Sequence, residues 1–269
     1  MAIDVSSGPE LGLGNPEAWH PTPAERVRAW DPELNRLDRI DPSVFIEGRS
    51  DRYKLVGHTE LLLAIQDELD SKRMKWDRRR VCTTEHGAVM IARFELHDFY
   101  PHAVAFVRNS YNGKYAVSLA VGMVTKAGVR LFGDYQPLYK KHTSGLEIAN
   151  AVRAAVMDIP RQYHDGVNTY ITPMGDTLVG HAGVPSAKDI LWRLYVEEGR
   201  FPVSGLTKVY AAILDVGLRG NVSLLDVHDA MLATVRFDKS LDGAVKRAHD
   251  ITVHLSAHID RMRFPLSAA

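Results

Sequence analysis

The stretch Ala103-Val104-Ala105-Phe106-Val107-Arg108-Asn109-Ser110-Tyr111-Asn112-Gly113-Lys114-Tyr115-Ala116-Val117-Ser118-Leu119-Ala120-Val121-Gly122-Met123 decides the fold class. Asn-Gly is the preferred pair for a two-residue hairpin turn, because both positions need positive φ. Apolar residues at strand spacing flank it on both sides. The pair predicts a β-hairpin of residues 103–111 and 114–123. A two-residue turn also predicts a register, with Tyr111 opposite Lys114, Ser110 opposite Tyr115, Arg108 opposite Val117, Phe106 opposite Leu119 and Val104 opposite Val121. One face then carries Val104, Phe106, Tyr115, Val117, Leu119 and Val121 and reads as a core face. The other carries Ala105, Val107, Asn109, Tyr111, Lys114, Ala116, Ser118 and Ala120, mostly small or polar, which a helix, a partner or a ligand can approach closely.

Working outward, residues 87–96 alternate as a strand, and residues 52–56 read as another. Between them Thr59 is placed to cap a helix whose apolar stripe is Leu61, Leu62, Ala64, Ile65 and Leu69. Downstream, residues 129–132 and 138–141 extend the sheet. Ser144 is placed to cap a helix over residues 145–158, stopped by Pro160. Six Gly and Pro residues between 161 and 185 predict a loop-rich connection. Helical patterns follow over residues 186–198, 204–216, 223–235 and 241–262, the first three each opening on a serine suited to an N-cap. At the other end, residues 1–22 are rich in Gly, Pro and Ser and read as a mobile or partner-docking arm. A short helix near Pro23, capped by Thr22, and a turn at Asp41-Pro42-Ser43 lead into the ordered region. The expectation is an α+β protein with a mostly antiparallel sheet around the Asn-Gly hairpin, packed helices and a helical C-terminal half. Its parts are a flexible arm and short helix over residues 1–43, an α+β core over 44–160, and a loop-rich connection with a helical region over 161–269.

Composition bounds the function. Of 269 residues, 45% are hydrophobic, enough to bury a core. Lys and Arg number 33, as do Asp and Glu, so the formal net charge is zero. Proteins that coat nucleic acid usually carry a basic excess, since phosphate neutralisation supplies most non-specific affinity. A nucleic-acid site here has to be a local patch offset by acid elsewhere, or be completed by an oligomer. Cys82 is the single cysteine, which excludes an intrachain disulfide or a multi-thiolate zinc site and fits a reducing cytoplasm. Met1 to His20 lacks the basic-then-apolar pattern of a signal peptide, and the longest apolar stretches are too short to span a bilayer.

Two basic segments stand out. Lys72, Arg73, Lys75, Arg78, Arg79 and Arg80 surround Trp76, a combination suited to phosphates plus a stacked base, although a solvated helix end has the same composition. Lys140-Lys141-His142 precedes Thr143-Ser144-Gly145 at a strand-to-helix junction, where free N–H groups and cations favour an anion, without the glycine spacing of a phosphate-binding P-loop. Metal-capable sets occur at Glu95, His97, Asp98 and His102, and at Asp250, His254 and His258; neither has a known ligand spacing, and twelve histidines form chance pairs. No Gly-x-Ser-x-Gly or dinucleotide fingerprint is present, Cys82 beside a basic run reads more simply as a packed thiol, and Glu197-Glu198 reads as an exposed helix end. No catalytic or cofactor-binding signature emerges.

Residues 41–160 resemble the uncharacterised prokaryotic phage/plasmid-like proteins, a domain-of-unknown-function family of phages, plasmids and integrated elements. The pieces that carry the resemblance are Asp41-Pro42-Ser43-Val44-Phe45, then Arg49-Ser50-Asp51-Arg52-Tyr53, then Asn109-Ser110-Tyr111-Asn112-Gly113-Lys114 and Lys141-His142-Thr143, in the family's order. Where the family shows Val-Cys-x-Asn-Gly, this chain has Val124-Thr125-Lys126-Ala127-Gly128, keeping only the first and last residues. The resemblance implies a mobile-element context and, by inference from it, single-strand DNA binding or annealing in recombination by a cytoplasmic homo-oligomer. In that picture Lys72, Arg73, Lys75, Arg78, Arg79, Arg80, Arg108, Lys114, Lys140, Lys141 and His142 hold phosphates, Trp76 and Tyr111 stack bases, and Asn109 hydrogen-bonds at the hairpin. Asn109 and Ser110 have a simpler alternative, bonding the backbone of their own turn. A structural or interaction protein of a phage particle or host-takeover complex is the second reading, and a metal-dependent hydrolase the third.

Overall fold

A computed structural model describes residues 36–45, 55–133, 135–138, 148–181, 184–218, 220–236 and 241–263. The expected arm, the helix near Pro23, most of the strand expected over 52–56, and Lys140, Lys141, His142 and Ser144 lie outside the described residues. Among the described residues six strands form one antiparallel sheet: β1 Trp76–Thr84, β2 Val89–Leu96, β3 Ala103–Ser110, β4 Ser118–Thr125, β5 Gly128–Leu131 and β6 Gln136–Pro137. The first five lie side by side in chain order, so β1 is the edge strand among the described residues, and β6 pairs with β4. The α+β expectation therefore holds.

The hairpin forms, but its register is shifted by one residue. Phe106 pairs with Ala120, Val107 with Leu119, and Arg108 with Ser118. Ser110 still reaches Tyr115, accepting from its N–H and donating to its carbonyl through Oγ, both at 3.1 Å. Gly113 has positive φ at 63°, while the Asn112 side chain accepts from Lys114 N at 3.1 Å. The connection thus spans residues 111–117 and holds an odd number of residues between the strands. A one-residue slip exchanges the faces of one strand relative to the other. Val104, Phe106 and Ala120 share one face, and Ala105, Val107, Leu119 and Val121 the other.

Both faces are buried. Helix α1 (His58–Ser71) and helix α2 (Ile148–Gly166) cover the face of Ala105, Val107, Leu119 and Val121 with Leu61, Leu62, Ile65, Leu69, Val152, Val156 and Ile159. The remaining helices cover the opposite face: α3 Thr172–Asp176, α4 Ala187–Trp192, α5 Leu206–Gly217, α6 Leu224–Leu232 and α7 Leu241–Arg263. The near-continuous apolar runs of β2, β3 and β4 follow from this two-sided burial. The C-terminal half packs on the same sheet as the N-terminal half. Leu55 and Val56 precede α1 without joining a strand, and the helix begins one residue before Thr59, with Glu60 Oε2 accepting from Gly57 N at 3.2 Å.

Helix α2 continues through Pro160 to Gly166 and passes by a π-turn (Val167–Ile171) into α3, where a loop was expected. The boundary expected at residue 160 falls inside this helix. Pro160 removes one backbone hydrogen bond, but Val152, Val156, Ile159 and Tyr163 on the buried face hold the helix to the sheet. Gly166 signals close packing here: a Cβ at this position would overlap the Phe132 ring. The serine caps expected at Ser186 and Ser223 form, accepting from Asp189 N and Asp226 N, each at 3.2 Å. Ser204 instead lies in a 3-10 turn (Val203–Gly205), and α5 starts after Gly205.

Candidate nucleic-acid interface

The basic run forms the corner where α1 turns into the edge strand. Helix α1 ends as Lys72 N donates to Glu68 O at 3.1 Å, and Arg73 takes the left-handed conformation at φ 56° to reverse the chain. Met74 N then donates to Leu69 O at 3.0 Å. Lys72, Arg73 and Lys75 are exposed around a half-buried Trp76. The acids interleaved with them are engaged locally. Asp70 accepts from Trp76 Nε1 at 2.9 Å, and Asp98 accepts from Lys75 N at 2.7 Å. Asp77 meets His97 Nε2 at 3.1 Å, and Glu68 pairs with Lys72 at 3.5 Å and Arg153 at 3.7 Å. Trp76 also packs edge-on to Phe94, with ring centroids 5.7 Å apart.

A bulge splits the rest of the run. Position 78 pairs with Phe94, whereas Arg80 pairs with Arg93 and belongs to the face covered by the C-terminal helices. The side chains of Arg78 and Arg79 lie outside the described residues. Arg108 is on the Arg80 face, its guanidinium 4.0 Å from the ring centres of both Tyr115 and Tyr135. It serves there as the middle of a cation–π stack. Lys114 lies 5.5 Å from the Tyr115 ring centre in the β3–β4 connection.

Asn109 and Tyr111 are fully or almost fully buried, so neither presents a surface for a base in this fold. Asn109 Nδ2 donates to Val56 O at 2.8 Å and lies 2.9 Å from His58 Nδ1. His58 Nε2 meets Gly87 O at 2.9 Å and donates to it, because a carbonyl only accepts; Nδ1 is then the acceptor for Asn109. Tyr111 stacks on the His58 ring at 3.7 Å between centroids, and its hydroxyl accepts from His58 N at 2.8 Å. Burial lowers the His58 pKa to about 4, keeping the ring neutral at pH 7. The local alternative holds for Ser110, while Asn109 ties β3 to the start of α1. The sequence marked Asn109 through the hairpin; His58, its partner, carried no signal of its own.

No family model, curated protein or solved structure matches this chain.

The two histidine sets are partly engaged as well. His97 Nδ1 lies 3.2 Å from His102 Nδ1, Glu95 pairs with Arg93, and His254 packs edge-on to Phe201. Among the described residues, no group of three or more His, Cys, Asp or Glu is placed to hold a metal ion. No described helix is long and apolar enough to cross a membrane.

Proposed function

We propose that the protein binds single-stranded nucleic acid at the α1–β1 corner, as a phage- or mobile-element-type protein. One observation carries this reading: Lys72, Arg73 and Lys75 project beside Trp76 at the corner between α1 and β1, while the neighbouring acids are drawn into local hydrogen bonds. Arg73 and Lys75 form no ion pair with a described residue. Cations beside a partly exposed indole suit a phosphate backbone with one stacked base. The resemblance of residues 41–160 to phage/plasmid-like proteins points the same way. Labelled single- and double-stranded oligonucleotides, titrated at low and near-physiological salt, test it. Preference for single strands, a steep loss with salt and a further loss on Arg73→Glu/Lys75→Glu are expected. Binding unchanged by that reversal removes the site.

A second reading, a non-enzymatic assembly or interaction protein, is favoured by a different observation. Tyr210 and Leu214 on α5 and Leu218 just after it, at spacings of four, are 37%, 53% and 88% exposed. On this reading the apolar stripe is a contact with a second copy of the chain. Light scattering on Leu214→Glu/Leu218→Glu tests it: a smaller particle supports the reading, and an unchanged size removes it.

A further inference from the structure

The metal-capable residues from Glu95 to His102 divide into two uses. Glu95 pairs with Arg93, and Asp98 accepts from Lys75 N at 2.7 Å, which ties the β2–β3 loop to the start of β1. His97 and His102 face each other instead, from the two ends of that loop. Their Nδ1 atoms are 3.2 Å apart and their rings cross at 88°.

Both histidines are held from behind. His97 N donates to Lys75 O, and His102 O accepts from Val124 N, each at 2.8 Å, so neighbouring backbone fixes the two positions. Ligands placed in advance lose less freedom when they bind. Asp77 then settles the tautomer of His97. Nε2 lies 3.1 Å from Asp77 Oδ2, and an ionised carboxylate only accepts, so Nε2 carries the proton. In the neutral ring Nδ1 therefore bears a lone pair, and that lone pair is directed at His102 Nδ1. A carboxylate on the far nitrogen is the usual support behind an imidazole that ligates a metal.

The spacing fits one ion shared by the two rings. Two nitrogens at about 2.0–2.1 Å from a tetrahedral zinc stand about 3.3 Å apart, close to the 3.2 Å observed. Solvent reaches the pair, since the His97 side chain is 26% exposed and His102 is exposed. Imidazole suits zinc, copper or nickel, whereas calcium and magnesium take oxygen ligands. With two protein nitrogens, the remaining positions of a four-coordinate ion fall to water or to a ligand from solution. Such a site exchanges its metal more readily than a closed four-ligand one.

We propose that His97 and His102 bind one divalent transition-metal ion of the zinc and copper class between their Nδ1 atoms, with Asp77 positioning His97. The site adjoins the α1–β1 corner through Lys75 and does not depend on nucleic-acid binding there.

Calorimetric titration of the metal-free full chain with zinc chloride, and with magnesium chloride beside it, provides the test. Zinc should bind saturably and magnesium should not. The chain has twelve histidines, so single substitutions assign the site. His97→Ala and His102→Ala remove side chains at the surface, and their metal-free melting should match the parent chain. Each should lower the zinc affinity by at least about tenfold, while His164→Ala/His181→Ala, two exposed histidines elsewhere, leaves it unchanged. With one equivalent of copper(II), electron paramagnetic resonance should show couplings from two imidazole nitrogens in the parent chain and from fewer in His102→Ala. Absence of saturable zinc binding overturns the proposal and leaves a hydrogen-bonded pair only. Zinc binding undiminished in both single variants overturns it too, as does a copper spectrum that His102→Ala does not change.

Discussion

The amide of Asn109 and the ring of His58, 51 residues apart in the chain, meet at 2.9 Å in the buried seam between β3 and the start of α1. Both residues are fully buried. The pair converts the end of the central hairpin into an anchor for the helix that covers it, with Val56 O as the second acceptor for Asn109.

Removing the amide should therefore be costly. Asn109→Ala leaves Val56 O and His58 Nδ1 without this donor in a dry environment, which costs roughly 2–4 kcal/mol. Urea denaturation should show a lower midpoint at unchanged slope. A loss under about 0.5 kcal/mol would mean that the bridge is replaced by another donor.

Acid should act through His58. Its folded pKa is lowered from 6.5 to about 4 by burial, so at intermediate pH the unfolded chain binds the proton and the folded chain does not. Stability from this group is complete above pH 6.5, falls as pH drops from about 6.5 to 4, and is fully lost below 4. The total is on the order of 3 kcal/mol. His228, also buried and lowered, adds to the slope in the same direction. Asp229, Asp158 and Glu198 are lowered too, but they lose their contribution only below the usual carboxylate range. Unfolding free energies of the parent chain and of His58→Gln, compared from pH 7.5 to 4.5, should show a shallower slope for the variant. Equal slopes would place the titration elsewhere.

Two glycines should respond differently to alanine. At Gly166 the added methyl meets the Phe132 side chain, and at Gly122 it meets the backbone carbonyl of Arg130. Each substitution should destabilise by about 1–3 kcal/mol or more through overpacking. Phe132→Ala should recover part of the loss for Gly166→Ala, because it removes the two ring atoms nearest the added methyl and leaves only the Cβ of residue 132. It should recover none for Gly122→Ala. Thermal melting of the three single and two double variants decides the matter, and recovery in neither pair would refute the contact at Gly166.

Proline in the interior of α2 should be replaceable with gain. Pro160→Ala restores an N–H to the helix and removes the ring's clash with the preceding turn, and it should raise stability by about 1–3 kcal/mol. A lowered melting temperature would show that the helix path depends on the proline.

Much of the sheet was legible because its signals are local. The runs that became β2, β3 and β4 are apolar on both faces, and Asn112-Gly113 did place a reversal between β3 and β4. The register was not legible, since the expected Ser110–Tyr115 contact forms and the extra residue enters beyond it, between Tyr115 and Ser118, where the turn pair has no say. Gly166 and Pro160 were misread for a related reason. Both are punctuation when only neighbours in the chain are considered, and both sit in a helix whose buried face is fixed by residues far away. Of the residues expected at the interface, Lys72, Arg73, Lys75 and Trp76 come together, whereas Arg108, Asn109 and Tyr111 turn inward. Composition marks a side chain as polar, and only the fold decides whether water or the protein interior meets it.

The two-sided burial of the sheet also sets an order of events at the ribosome. Val89, Ile91, Val104, Phe106, Val129 and Leu131 are all made by residue 131, yet what covers them arrives between Met174 and Ile259. At 5–20 residues per second, that interval is on the order of ten seconds. For that time the nascent chain carries half of its eventual core as an open, sticky surface, shielded on one side only by α1 and α2. A product that stops before α7 should therefore aggregate more readily than the full chain, because it keeps this apolar face without its cover.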